Sequence, residues 1–199
     1  MTDLTLTTLA MGRIKGKYPL PRHNVLLLSC MDLRLINELA SFMDRDNLTN
    51  RYDHLITAGA GLGLTHGETN STYQTWWTGF VEHLRVAIEL HQPEDIYIVE
   101  HRACGAYAKF LGETFSDDDA SQRRERLSHR RHARTCAEKI NAYLETAPPI
   151  TGVTIHPLRI STFLMDLRGD IEFMETIEPR TAKAVPAEAS KRRKATKKV

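Results

Sequence analysis

The sequence predicts an α/β domain in which a central, mostly parallel β-sheet is flanked by helices. Three short apolar segments, at residues 24–29, 52–57 and 95–100, have the length and composition of buried strands. Segments with helical periodicity lie between them. Strands that alternate with helices are typical of a parallel sheet, and this alternation is the basis of the prediction.

Apolar residues three and four positions apart predict the first two helices. One is expected over residues 33–43 and a longer one over 73–88, ending before Pro93. The adjacent Trp76 and Trp77 on the longer helix are interpreted as core or subunit-interface residues, because aromatic residues are enriched in both places. The glycine-rich segment 58–63 is expected to be a tight loop.

The second half of the chain continues the pattern. A helix is expected to begin near Cys104 and Gly105, and a mostly polar helix covers residues 121–146. Strands are predicted at 153–155, 159–164 and 171–174, with a turn at 168–170 between the last two.

Charge is distributed unevenly along the 199 residues, whose net charge is +2. Residues 180–199 contain eight Lys or Arg residues and one acidic residue, Glu188, and lack aromatic residues. We predict a disordered basic tail there, an N-terminal extension over residues 1–23 and a single domain over 24–179. Nucleic acid is not expected as a partner, and what binds the tail is left open.

Three cysteines are an odd number and too few for a disulfide scaffold. The sequence has no apolar run near the ~20 residues of a membrane span, and the N-terminus lacks the pattern of a secretory signal. We therefore expect a cytoplasmic protein that does not bind membranes and whose thiols are available to metals.

Cys30 and His101 each follow a predicted strand, and Cys104 comes three residues after His101. Ligands of parallel sheets bind beyond the carboxyl ends of the strands, so these three side chains are expected to meet. Thiolate and imidazole are ligands that suit zinc, and three protein ligands leave a fourth position for water. The third cysteine, Cys136, lies in the polar helix and is interpreted as structural.

Asp32 and Arg34 follow Cys30 at intervals of two residues, which in an extended segment places all three side chains on one side. Asp32 could orient a zinc-bound hydroxide, and Arg34 could keep that carboxylate ionised. A helix cap at Asp32 would also explain the pair. Because Met-Asp-Leu-Arg recurs at residues 165–168 without a cysteine, the tetrapeptide alone does not identify a site.

The segments Ser29-Cys-Met-Asp-Leu-Arg34 and His101-Arg-Ala-Cys104-Gly105 resemble the motifs of the β-class carbonic anhydrases. The resemblance implies one Zn²⁺ per subunit on Cys30, His101 and Cys104, and hydration of CO2 to bicarbonate. It also implies an Asp32–Arg34 dyad, with Asp32 as the fourth ligand in a closed state. Ala58 and Gly59 would border the substrate pocket, and a homodimer or higher oligomer is expected.

The chain differs from that family's common pattern on both sides of the predicted histidine ligand, where it has Glu100 and Arg102. Ile56 and Thr57 also stand where Arg-Asn is common. Two alternatives therefore stay open: hydrolysis of carbonyl sulfide or carbon disulfide at the same zinc site, and a non-catalytic protein that binds zinc or bicarbonate.

Other candidate sites have weaker support. The segment 59–63 lacks the full spacing of a dinucleotide loop and the Lys-Ser/Thr of a P-loop. His54, His66 and His83 could carry protons, with His66 the best placed, but a surface position explains each. The arginine-rich stretch 123–134, which includes His129 and His132, is interpreted as a solvated helix face paired with nearby acids.

Overall fold

A single six-stranded sheet forms the centre of the computed structural model, which describes residues 12–66, 70, 73–153 and 155–179. The strands are β1 (Ile14–Lys15), β2 (Val25–Cys30), β3 (Tyr52–Thr57), β4 (Asp95–His101), β5 (Arg159–Met165) and β6 (Ile171–Ile177). Their order across the sheet is β1-β6-β5-β4-β2-β3. Neighbouring strands are parallel except β5 and β6, which are antiparallel. The predicted α/β fold with a mostly parallel sheet is confirmed.

Five helices are described: α1 (Ile36–Arg45), α2 (Gly61–His66), α3 (Thr75–His91), α4 (Gly105–Leu111) and α5 (Asp119–Thr146). A 3-10 turn at Leu33–Leu35 precedes α1, so the helix predicted over 33–43 is divided in two. The glycine-rich segment is a loop only as far as Ala60, since α2 begins at Gly61. None of the helices in the described ranges is long and apolar enough to cross a membrane.

Both faces of the sheet are buried, which explains why the strand β2 is a continuous apolar run. Leu26 and Leu28 face a core cluster that includes residues of α3 and α5. Val25 and Leu27 face the opposite cluster, which includes residues of α1. Cys136 is fully buried in the first cluster, in keeping with a structural role.

Three predictions about the less regular parts of the chain have different outcomes. Residues 12–23, expected to be an extension, include β1, which pairs with β6, and Tyr18, whose ring contacts Phe163. The predicted basic tail 180–199 lies outside the described residues. The strand predicted at 153–155 is wrong in its described part, because Val153 forms only an isolated bridge to Ile150 across a tight turn.

Candidate metal centre

Three potential metal ligands meet at the carboxyl end of the sheet. Cys30 is the last residue of β2 and His101 is the last residue of β4, and these two strands are parallel neighbours. Cys104 caps the amino terminus of α4. One ligand atom from each residue lies within 4.8 Å of the other two, and the two Sγ atoms are 3.8 Å apart. This cluster can hold a metal ion.

The imidazole of His101 is oriented for a ligand. Its Nδ1 lies 2.9 Å from the backbone oxygen of Arg102, which accepts a hydrogen bond when Nδ1 carries the proton. Nε2 is buried and has no hydrogen-bond partner among the described residues. A backbone acceptor on one ring nitrogen is the usual arrangement for a metal-bound histidine, because it leaves the lone pair of the other nitrogen to the metal. The donor set therefore fits a metal ion.

The two thiols differ in how readily they ionise. The hydrogen bond shared with Cys104 lowers the pKa of Cys30, against the effect of burial, and His101 and the amide of Gly59 act in the same direction. The same thiol–thiol hydrogen bond, together with burial, raises the pKa of Cys104. The shared hydrogen bond thus favours ionisation of Cys30, and the thiolate is the form that binds metals.

Gly59 supports the thiolate from the loop after β3. Its backbone N–H donates to Cys30 Sγ at 3.3 Å, and its φ of +77° is in the region that favours glycine. A Cβ at this position would lie 2.8 Å from the Cβ of Ala106. The neighbouring Ala58 lines a cleft of about 450 Å³ together with Met31, among other residues. Gly59 therefore contacts the cluster and Ala58 precedes it along the loop, and a role of either residue in substrate binding stays a prediction.

Asp32 and Arg34 form a bidentate ion pair beside His101. Arg34 Nε donates to Asp32 Oδ1 at 2.8 Å and Nη2 donates to Oδ2 at 2.6 Å. The pKa of Asp32 is lowered to about 2, chiefly by these hydrogen bonds from Arg34. Asp32 Oδ2 lies 3.8 Å from His101 Nε2. An ionised carboxylate is therefore held next to the nitrogen that faces the cluster.

The second Met-Asp-Leu-Arg copy has a different role. Asp166 Oδ1 accepts from the backbone N–H groups of Arg168 and Asp170, which closes the turn between β5 and β6. Asp32 makes the matching bond to the N–H of Arg34 at 3.0 Å, so both copies cap a turn. The pairing with the arginine side chain beside His101 distinguishes the first copy.

Comparisons with known proteins place the chain in a family. The sequence is 32% identical over 149 residues to an uncharacterized protein of Rickettsia bellii, a match that covers 75% of this chain and 80% of that protein. It is 30% identical over 149 residues to the uncharacterized protein RC0076 of Rickettsia conorii, covering 75% and 70% of the two chains. The chain belongs to the family of these two Rickettsia proteins. No family model matches the sequence.

Solved structures show a more distant likeness to this member of the Rickettsia protein family. A carbonic anhydrase from Streptococcus mutans covers 81% of this chain and 87% of its own, with a TM-score of 0.42 and 18% identity. The β-carbonic anhydrase CafA of Aspergillus fumigatus covers 80% and 78%, with a TM-score of 0.43 and 15% identity.

Two buried carboxylates near the cluster were missed as site residues. Glu100, next to His101, accepts hydrogen bonds from the N–H of Gly61 and from the Tyr107 hydroxyl, and lies 3.1 Å from His129 Nδ1. Glu125 accepts from the N–H of Ala103 between two of the candidate ligands. The sequence does contain a sign of Glu100, because a charged residue at the end of an otherwise apolar strand is unusual. The pattern gave no signal for Glu125, because its helix is mostly polar.

The arginine-rich stretch is only partly the solvated face that was predicted. Arg126 pairs with Glu172 at 2.5 Å, and Arg130 pairs with Glu175 at 3.2 Å, as expected for a face balanced by acids. His129, however, is fully buried against Glu100. That part of the interpretation is wrong, because α5 turns this side toward the end of β4.

The three histidines considered as proton carriers have other neighbours. His54 Nε2 lies 2.7 Å from Ser29 Oγ, and His83 Nδ1 lies 2.7 Å from the backbone oxygen of Gly79. His66 stacks on Phe110 with ring centroids 4.6 Å apart. A proton-carrying role for any of them stays a prediction.

Proposed function

We propose that the chain is a zinc-dependent lyase that hydrates CO2 to bicarbonate, a carbonate dehydratase. The observation that carries the proposal is the buried, partnerless Nε2 of His101. One nitrogen of this ring lies within 4.8 Å of two thiols, and Nε2 lies 3.8 Å from a carboxylate that is paired with an arginine. The motif resemblance to the β-class carbonic anhydrases supports the same activity.

The chemistry of the donor set supports zinc as the metal. Two thiolates and one imidazole suit Zn²⁺, and three protein ligands leave a coordination position for a small molecule. Zinc bound there would lower the pKa of a water molecule to about 7 and so supply hydroxide at neutral pH. Cys30, His101 and Cys104 would hold the ion.

Asp32 would act on the attacking water. Its carboxylate is ionised at neutral pH, since the ordinary aspartate pKa of 3.8 is already well below 7 and Arg34 lowers it further, so it can accept a hydrogen bond from that water. Arg34 fixes the orientation of the carboxylate by donating a hydrogen bond to each of its two oxygens. Asp32 Oδ2 faces His101 Nε2, so it is also the oxygen that would take the fourth metal position in a closed state.

A homodimer is part of the proposal. β3 is an edge strand of the sheet, and its Ile56 is 55% exposed. Met31, beside the cluster, is 68% exposed and lines the same cleft as Ile56. A second copy that covers this edge would bury apolar surface and exclude water from the cleft. We also propose that the protein is cytoplasmic.

Metal analysis of the purified chain, followed by stopped-flow CO2 hydration, tests the proposal. We expect about one zinc per chain and hydration that disappears when the metal is removed by a chelator. Absence of zinc would overturn the mechanism. Zinc without CO2 turnover but with sulfide release from carbonyl sulfide or carbon disulfide would identify the alternative hydrolase. Zinc without any turnover would point to the non-catalytic binding protein.

A further inference from the structure

We propose that Glu125 is a positioning residue that holds the turn carrying His101 and Cys104 and thereby sets the affinity of the cluster for its metal. The inference rests on the proposed function, because it presumes that these residues bind a metal ion. Glu125 Oε1 accepts from the backbone N–H of Ala103 at 2.6 Å. Oε2 accepts from Arg102 Nη1 at 2.9 Å. One carboxylate thus holds both residues that separate the two ligands.

The turn needs such support because its backbone is strained. Ala103 has a φ of +54°, in the left-handed region that residues with a Cβ rarely adopt. Its N–H is bound by Glu125, and its carbonyl oxygen accepts from Arg34 Nη2 at 3.3 Å. Both backbone polar groups of Ala103 are therefore anchored by side chains from other parts of the fold. Arg34 is also the partner of Asp32, so the same turn is connected to the loop after Cys30.

Glu125 is itself well fixed. Its side chain is 4% exposed, and Arg102 Nη1 also donates to the backbone oxygen of Gln122, one turn earlier on α5. His129 Nε2 lies 4.0 Å from Glu125 Oε1, while Nδ1 of the same ring contacts Glu100. Because a buried carboxylate is stable only when it is paired, Arg102 and Glu125 depend on each other. Through this pair, helix α5 supports the segment that follows β4.

Glu175, on β6, provides a matched control. Its carboxylate is 9% exposed and also pairs with two arginines of α5, Arg130 and Arg134. Among the described residues, that carboxylate pairs with α5 rather than with the 101–104 turn. Replacing either glutamate breaks a partly buried ion pair between α5 and another part of the fold. Only the Glu125 replacement is expected to release the turn.

The experiment compares the full-length wild type with Glu125→Gln, Glu125→Ala and Glu175→Gln. Zn²⁺ affinity is measured by competition with a chelator, and the cluster is observed by the thiolate-to-metal charge-transfer band of Co²⁺. Loss of a residue that orients metal ligands typically weakens binding about 10- to 100-fold. We expect a loss of this size in Glu125→Ala and a smaller one in Glu125→Gln, whose amide oxygen can still accept from Ala103. Glu175→Gln should bind with native affinity.

Amide hydrogen exchange at Ala103 in the metal-free chain gives a second readout. Exchange should be faster in both Glu125 variants and unchanged in Glu175→Gln. Native metal affinity and native exchange in both Glu125→Ala and Glu125→Gln would overturn the positioning role alone. An equal loss of affinity in Glu175→Gln would assign the effect to general stability and also overturn it. If the wild type bound neither metal, the proposed function itself would fail, and this inference with it.

Discussion

At the scale of single residues, Asp32 can be tested separately from its role in the turn. Asp32→Asn keeps an acceptor for the N–H of Arg34 but removes the charge and the ion pair with Arg34. If Asp32 accepts a hydrogen bond from the attacking water, kcat/KM for CO2 should fall about 100-fold or more while zinc stays bound. Stopped-flow kinetics with metal analysis measure both quantities.

Asp166→Asn is the matched control for Asp32→Asn, because Asp166 caps an equivalent turn without a cysteine nearby. Its kcat/KM should equal that of the wild type. Full activity in Asp32→Asn would show that the residue only caps the 3-10 turn. The second copy of the tetrapeptide thus separates catalysis from local structure within one molecule.

Gly59 is a second residue whose role can be isolated. Gly59→Ala combines a left-handed backbone with a Cβ contact of 2.8 Å to Ala106, and it threatens the N–H bond to Cys30. Gly112 has a similar φ of +68° but open space where a Cβ would lie. Gly112→Ala should therefore lower the free energy of unfolding by about 1–2 kcal/mol through backbone strain alone. Gly59→Ala should lower it further and should also weaken metal binding.

Urea unfolding and chelator competition on both glycine variants provide the comparison. Equal losses of unfolding free energy in the two variants would mean that the loop at Gly59 moves away from Ala106 without strain. Unchanged zinc affinity in Gly59→Ala would show that the N–H bond to Cys30 does not contribute to the metal centre.

At the scale of elements, the end of α3 offers a simple stability test. Gln92, the exposed residue after the helix, has φ of 48° and ψ of 56°, and its N–H bonds to the Ala87 oxygen. Gln92→Gly should raise the free energy of unfolding by about 0.5–1 kcal/mol, because glycine adopts this conformation with less strain. Gln92→Ala, which keeps the strain, should show no such gain. A lower free energy of unfolding in Gln92→Gly would indicate that the glutamine side chain stabilises the carboxyl end of α3.

The elements also show how far the sequence could predict the site. Cys30 and His101 were identified because each follows a short, mainly apolar segment of the kind that forms a strand buried on both faces. Asp32 and Arg34 were expected to share one side of an extended segment. They do meet, but through a 3-10 turn at Leu33–Leu35 in which the arginine folds back onto the carboxylate.

The support from α5 could not be predicted in the same way. The bonds of Glu125 to Ala103 and Arg102 join residues 22 and 23 positions apart. Periodicity reports which face of a helix is apolar, but it does not report which polar residue on that helix meets a strand end. The left-handed backbone of Ala103 is likewise set by the tertiary structure, because alanine by itself disfavours it.

At the scale of the whole molecule, the core contains tyrosines that must stay protonated. The hydroxyls of Tyr18 and Tyr97 both donate to Asp46, within the core cluster on the α1 face of the sheet. Burial and the neighbouring Asp46 raise the pKa of both tyrosines well above the ordinary value of 10.0. Burial also raises the pKa of Tyr107 near the metal cluster. The three tyrosines lie in the amino-terminal segment, in the sheet and in α4. The stability of all three parts therefore depends on phenols that stay protonated.

The raised tyrosine pKa values predict unfolding at alkaline pH. Below pH 10 both states keep the phenol protons, and the stability is fully present. As the pH rises above 10, the unfolded chain releases protons that the folded chain retains, so the free energy of unfolding should fall progressively. Urea unfolding at stepped pH, followed by far-UV circular dichroism and tyrosinate absorbance, measures this.

Tyr18→Phe should give a shallower decline of the free energy of unfolding with pH. Tyr143→Phe, on the opposite face of the sheet, is the comparison variant. Because a folded core holds the phenols neutral, tyrosinate from these residues should appear only together with the loss of secondary structure. Its appearance in a fully folded chain would contradict the assignment.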